Sequence, residues 1–215
     1  MEELDNVLEI KEGDHILDAG CGTGFMIEKI VKENVGRRIS VVGLDSSKGM
    51  LERARKKFKN YSNVKLQVAD LNKHLEFPDN SFDKVICSNT LYALENPQKV
   101  IAEFYRVLKL GAVVVITNPK PDAQMKKLAQ EQLRTMTKLT PFYNKIYHIL
   151  RAILLLPIIF AVTVINKIIL KKGKKGEYQF LDNQHFRSIL QEVGFKSVYI
   201  SSCYADQNWL VKAAK

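Results

Sequence analysis

Short β-branched runs alternate with amphipathic helical patterns along most of this chain, and no other feature limits the fold as much. Residues 15–18, 39–45, 64–70, 82–87 and 113–117 are the strand-like runs. Near-continuous apolar stretches of this length suit parallel strands buried on both faces. Between them, residues 25–35, 48–58 and 97–108 carry helical patterns, with Val100, Phe104, Val107 and Leu108 forming one apolar stripe. Pro97 suits a first helical turn, and Gly111 follows that helix's end. Toward the C-terminus, Asp182 is placed to cap a helix reaching Val193 and closed by Gly194. Residues 197–203 and 208–212 then read as two strands joined across Tyr204 to Gln207 as a hairpin. The pattern predicts one α/β domain over residues 1–215, doubly wound around a mostly parallel seven-stranded sheet with a terminal antiparallel hairpin strand.

Composition narrows the classes. At 215 residues and 46% hydrophobic, the chain has the size and apolar content of one compact domain, which excludes disordered, collagen-like and disulfide-scaffold classes. Cys21, Cys87 and Cys203 are scattered and form no C-x-x-C pair, which argues for a reducing compartment and against structural zinc. Met1-Glu-Glu-Leu-Asp5 is acidic and has no apolar stretch, so no secretory signal is expected and the cytoplasm is the expected location.

The chemistry concentrates in Asp18-Ala-Gly-Cys-Gly-Thr-Gly24, between the first strand and the first helix. Glycines there permit a tight turn and let backbone approach a ligand closely. A dinucleotide site would need G-x-G-x-x-G, but Phe25 stands where the third glycine would fall. Three acids, Asp18, Asp45 and Asp70, lie at or near the C-terminal ends of strands one to three. Open α/β sheets bind ligands along that edge. Carboxylates there would repel a phosphate but suit ribose hydroxyls, an adenine amine and a sulfonium cation.

These motifs resemble the class I S-adenosylmethionine-dependent methyltransferases, especially the small-molecule branch, over most of the chain outside residues 120–178. The resemblance implies a Rossmann-like fold and S-adenosyl-L-methionine as cofactor. It implies that the glycine loop, with Asp18, Gly20, Cys21, Gly22 and Gly24, cradles the cofactor. Asp45 and Ser46 would hold the ribose, Met50 would pack on the adenine, and Asp70 with Leu71 would clamp it. Ser88 and Asn89 would reach the methionine end. Phe77-Pro-Asp-Asn-Ser-Phe-Asp83 and Glu192-Val-Gly-Phe195 also look like family segments, whereas Lys109-Leu-Gly-Ala112 departs from the usual Lys-Pro-Gly-Gly turn.

Methyl transfer from a sulfonium depends mainly on alignment, and a base is required only if the acceptor must lose a proton. Tyr92 stands where many relatives carry His, and it is the one catalytic candidate. An unperturbed phenol, with a pKa near 10, is a poor base, so lining the pocket is the better role. His15, His74, His148 and His185 have no metal-ligand spacing, so no metal is expected. There is also no G-x-S-x-G nucleophile elbow.

Residues 120–178 interrupt the pattern as a helical insertion before the last helix. No Asp or Glu occurs between Gln132 and Gly176, while nine Lys and Arg do, leaving the rest of the chain with only one of the net +10 charges. The uncharged core, residues 152–165, would span about 21 Å as a helix against about 30 Å of hydrocarbon, and Pro157 breaks it. One crossing would also separate the last strands from their own sheet, so a transmembrane helix is rejected. Three readings remain. Residues 138–175 contact an anionic membrane surface; or the insertion covers the active site or forms a homodimer contact; or it binds nucleic acid. The third is disfavoured, because aliphatic residues dominate and no Asn-Pro-Pro-aromatic segment follows the fourth strand. The lead-in before the first strand is short, so the insertion is also expected to serve as lid.

The function expected is methyl transfer to a lipid-like or other hydrophobic small molecule, by a cytoplasmic protein peripheral at a membrane. Two alternatives stand beside it. One is a methyltransferase for a soluble metabolite or peptide, with the insertion as lid or dimer contact. The other is a non-catalytic cofactor-binding partner protein.

Overall fold

The computed structural model describes residues 7–123, 178–204 and 206–215, so most of the 120–178 insertion lies outside the described residues. Seven strands form one sheet in the order β3-β2-β1-β4-β5-β7-β6. They are β1 (His15–Ala19), β2 (Ser40–Asp45), β3 (Val64–Val68), β4 (Phe82–Ser88), β5 (Leu108–Pro119), β6 (Lys196–Cys203) and β7 (Asn208–Ala214). Strands β1 to β5 pair in parallel, and β7 runs antiparallel to both β5 and β6. This is the expected mostly parallel α/β sheet with its hairpin.

Among the described residues, the helices that cover the two faces are α1 (Phe25–Glu33), α2 (Lys48–Phe58), α3 (Pro97–Val107) and α4 (Asn183–Val193). Side chains of successive strand residues point to opposite faces, and the core divides accordingly. Ile16 and Val41 join the cluster of Ile27, Ile30, Leu51 and Phe58 from α1 and α2. Leu17 and Val42 join Val100, Phe104, Phe186 and Leu190 from α3 and α4. Each fully buried side chain of this kind stabilises the fold by roughly 1.5–3 kcal/mol. The helix ends follow the sequence signals. Ser47 accepts the Met50 N–H, Asn96 accepts the Lys99 N–H ahead of Pro97, and Asp182 accepts the His185 N–H. Gly194 closes α4 at φ 108°.

Four departures from expectation bear on the sheet and the crevice. Helix α1 stops at Glu33, because Asn34 turns its backbone and side-chain amides onto the Ile30 carbonyl and Val35 is left exposed. Strand β3 ends at Val68, two residues before Asp70. The turn read at Lys109–Ala112 is instead an irregularity inside β5. Phe82 pairs with Leu108 and Lys84 with Val113, and the extra residues bulge outward with Gly111 at φ 76°. Lys109 holds the bulge by bonding Asp83, with its ammonium 2.8 Å from the carboxylate. Strand β7 continues past Lys212 to Ala214, where it pairs with Val113.

The chain goes outward from β1 through β2 to β3, then returns to lay β4 on the other side of β1. Strand order reverses there, and open sheets form a ligand crevice at such a reversal. Asp18 lies at the centre of it, in register with Gly43 of β2 and Ile86 of β4.

Candidate active site

The loop after β1 is built by backbone hydrogen bonds. Gly20 and Cys21 both donate their N–H to the Leu44 carbonyl at 2.8 Å, which bends the chain over the end of β2. Gly22 donates its N–H to Asp45 Oδ2 and Ser47 donates its N–H to Asp45 Oδ1, each at 2.8 Å. The Asp45 carboxylate is therefore clamped in one orientation. Each oxygen keeps lone pairs for further donors such as ribose hydroxyls. Gly20 and Gly24 show why glycine is required. Both have positive φ, 85° and 78°, and an added Cβ would lie 2.2 Å from Thr90 Oγ1 or 2.4 Å from a Phe58 ring carbon. A Cβ on Gly22 would meet the Met50 sulfur at 3.6 Å, so Met50 faces the same loop. Ser46 is exposed in the turn between β2 and α2.

Asp18 is buried, and among the described residues no donor reaches its Oδ2. Burial, with the Asp45 charge second, pushes its carboxyl up to about 7. An orphaned carboxylate oxygen beside a glycine loop is a place where a cationic or amine-bearing ligand would relieve an unmet hydrogen bond. Cys21 is buried and its thiol is pushed far up, first by desolvation and then by Asp18 and Asp45, so it is no nucleophile.

Asp70 stands exposed beyond β3, and its Oδ1 accepts from Asn72 N–H at 3.0 Å and Asn72 Nδ2 at 3.1 Å. Leu71 is buried beside it. Three large apolar side chains at this edge remain half exposed: Phe25 at 54%, Met50 at 47% and Val68 at 48%. A flat apolar base would cover such surface. Glycine backbone, a clamped acid, an orphaned acid and exposed apolar walls together fit an adenosyl sulfonium.

The other half of the crevice gathers distant segments. Ser88 and Thr117 share a hydrogen bond at 2.9 Å across β4 and β5. Asn89, at φ 51°, accepts from Asn208 Nδ2 at 2.6 Å. Thr90 donates to the Ser88 carbonyl and, at 3.4 Å, to the Gly20 carbonyl, joining this half to the glycine loop. Tyr92, in the 3-10 turn Leu91–Ala93, donates its N–H to the Asn118 side chain at 3.0 Å and packs against Tyr178 and Phe180. Burial, with Tyr178 second, pushes the Tyr92 phenol above its ordinary value, which leaves still less phenolate near neutral pH to act as a base.

The structure thus brings Asp18, Gly20, Cys21, Gly22, Gly24, Asp45 and Met50 into one cradle, with Asp70 and Leu71 farther along the same edge. Ser88, Asn89 and Tyr92 belong to the β4–β5 half. The sequence reading missed Thr90, Thr117, Asn118, Asn208, Tyr178 and Phe180. The signal available for the last two was the aromatic alternation Tyr178-Gln-Phe180 just ahead of the Asp182 cap. His185 is exposed and sits against Asp182, and among the described residues no cluster of His, Cys, Asp and Glu is placed to hold a metal.

Known proteins are similar to this chain over most of its length. A family model described as a methyltransferase domain matches residues 10–194. A demethylmenaquinone methyltransferase of Staphylococcus epidermidis is 27% identical over 203 residues, covering 92% of this chain and 74% of the relative. A bifunctional biotin-biosynthesis protein of Teredinibacter turnerae is 34% identical over 116 residues, but that match spans 51% of this chain and only 20% of the relative. Among solved structures, an S-adenosylmethionine-dependent methyltransferase from Mesorhizobium loti superposes with TM-score 0.68 at 18% identity, covering 100% of this chain and 96% of that one. One from Aquifex aeolicus gives TM-score 0.66 at 20% identity, with coverages of 99% and 87%. Both share the fold.

Proposed function

The chain belongs to the class I S-adenosylmethionine-dependent methyltransferase family, and from that premise we propose that it methylates a hydrophobic small molecule at an anionic membrane surface. S-adenosylmethionine is its cofactor and supplies an electrophilic methyl group. In this reading the residues of the chain bind and orient. The glycine loop and Asp45 would fix the ribose, Asp70 and Leu71 the adenine, and Met50 would cover the base. Asp18 would balance the ligand's positive charge, and Ser88 and Asn89 would line the methionine end.

With its phenol raised, Tyr92 shapes the acceptor's seat instead of taking a proton. Alignment of two bound reactants can lower a barrier by about 7–11 kcal/mol, which suits a site holding few candidate bases.

One observation carries the acceptor reading: the basic, apolar insertion leaves and rejoins the fold at the acceptor side of the crevice. On the outgoing side, Lys120 N–H bonds the Gln207 carbonyl, and its ammonium pairs with Asp206 and lies 4.2 Å over the Trp209 ring. On the returning side, Gln179 N–H bonds the Tyr92 carbonyl at 2.8 Å. Residues 138–175 carry cations and aliphatic side chains without a single acid. That composition suits anionic headgroups, at roughly 1 kcal/mol for each basic residue near the surface. The Staphylococcus relative's name points to a quinone precursor, a hydrophobic acceptor of the proposed kind. No helix among the described residues is long and apolar enough to cross a membrane, and the proposed association is peripheral.

Vesicle co-sedimentation tests this. The protein should pellet with phosphatidylglycerol vesicles and not with phosphatidylcholine vesicles. Replacing Lys171, Lys172, Lys174 and Lys175 with Gln should release it. Equal pelleting with both lipids, or unchanged binding by the Gln variant, would remove the membrane part of the proposal. Release of S-adenosylhomocysteine on adding an extracted lipid fraction tests the acceptor part, and its absence would contradict it.

A further inference from the structure

Three aromatic rings stand together on the acceptor side of the crevice, drawn from segments more than eighty residues apart. Phe180 stacks with Tyr92 at a centroid separation of 5.6 Å with 14° between the planes. Tyr178 meets the same ring edge-on at 5.2 Å and 81°. Backbone bonds set this arrangement. Tyr92 donates its N–H to Asn118 Oδ1, Gln179 donates its N–H to the Tyr92 carbonyl, and Gln179 Nε2 donates to the Glu95 carbonyl at 2.7 Å.

All three rings remain only partly covered, although the large phenylalanines of the core, Phe82, Phe104 and Phe186, are fully buried. The cluster also stands next to the cofactor cradle, since Thr90, two residues before Tyr92, touches the glycine loop at the Gly20 carbonyl. A wall that only filled space would serve as well with leucines. Rings fixed in one parallel and one perpendicular relation present both faces and edges to whatever binds beside them. Flat conjugated molecules gain from such geometry beyond their buried area, and flexible chains do not.

We propose, resting on the methyl-transfer reading above, that Tyr92, Tyr178 and Phe180 form a stacking wall that selects an acceptor with a flat conjugated ring over an equally apolar flexible chain. Tyr178 and Phe180 are the specificity-determining pair. Tyr92 is the fixed ring on which they are arranged. The methyl-accepting atom would then be carried by the ring system or directly attached to it.

The test uses the full chain loaded with S-adenosylhomocysteine and two probes of matched hydrophobicity, each with one hydroxyl: 2-naphthol and 1-heptanol. Calorimetry first establishes that S-adenosylhomocysteine binds. If it does not, the methyl-transfer reading fails before the wall is tested. Equilibrium dialysis should then show 2-naphthol binding about tenfold more tightly than 1-heptanol. Tyr178→Leu and Phe180→Leu should each reduce the preference, and the double variant should abolish it, with S-adenosylhomocysteine affinity unchanged. Tyr178→Phe and Phe180→Tyr, which keep a ring, should preserve it. Equal binding of the two probes to the unmodified protein, no binding of either, loss of both probes alike in the Leu variants, or undiminished preference in the double variant would each overturn the proposal.

Discussion

The two halves of the crevice are held by different means. The proposed cofactor half, around β1, β2 and β3, is fixed mostly by backbone N–H groups donating to the Leu44 carbonyl and to the Asp45 carboxylate. The proposed acceptor half, around β4, β5 and β7, is fixed by side chains meeting across long separations, such as Asn208 with Asn89 and Tyr92 with Phe180. Backbone geometry restricts residue type severely, because only glycine fits at Gly20 and only a short acid reaches from the end of β2 to Gly22. Side-chain packing admits many solutions. The cofactor half should therefore tolerate little substitution, and the acceptor half should be where specificity is set.

The largest test of that contrast concerns Asp18. Its carboxyl is raised to about 7, first by burial and then by Asp45, so the folded state favours the proton. The Asp18 contribution to the stability of the ligand-free protein should be full below the unfolded pKa near 4 and be lost as pH rises from there through about 7, by on the order of 4 kcal/mol. Asp18→Asn should flatten this dependence in urea titrations between pH 4 and 8. A bound cation favours the charged form, so affinity for S-adenosylmethionine should rise with pH through the same window and do so less in Asp18→Asn. A stability profile identical in the two proteins would show that Asp18 is not the buried acid described.

Next in size is Gly20→Ala. The new Cβ would lie 2.2 Å from Thr90 Oγ1 on a residue at φ 85°. Overpacking and the left-handed backbone together should destabilise the fold by about 3 kcal/mol. Thr90→Gly in the same chain should restore part of that, as read from denaturant midpoints; no restoration would place the cost elsewhere. On the other side, Asn208→Ala should cost only about 1 kcal/mol and, through Asn89 alone, weaken S-adenosylhomocysteine less than Asp45→Ala does. A larger loss, or a cofactor defect as large as that of Asp45→Ala, would break the division between the halves. The smallest effect is expected of Tyr92→Phe, which keeps the ring and removes a phenol that stays protonated near neutrality. Turnover should stay within about twofold, against the 10²–10⁴-fold loss that removing a general base would cause.

The same contrast explains what could be read from the sequence. The sheet, both helix layers and the hairpin followed from periodicity and caps, as Asp182 and Gly194 show at the two ends of α4. The glycine loop and Asp45 were legible because local backbone geometry demands those residue types at fixed spacing. Asn118, Asn208, Tyr178 and Phe180 were not, because their roles arise when β5, β7 and the lead-in to α4 converge on Tyr92. No local spacing encodes that convergence. The bulge in β5 escaped for a related reason. A Lys-Leu-Gly turn and a bulge share one composition, and the Lys109–Asp83 pair that distinguishes them comes from tertiary contact.

Titration calorimetry of S-adenosylhomocysteine into the unmodified protein and its Asp45→Ala variant bears most directly on the crevice. One molecule should bind per chain, and the variant should bind more weakly by about 1.5–3 kcal/mol, the value of charge-assisted hydrogen bonds. Equal dissociation constants for the two proteins would contradict the assignment of the ribose to Asp45 and the clamped loop around it.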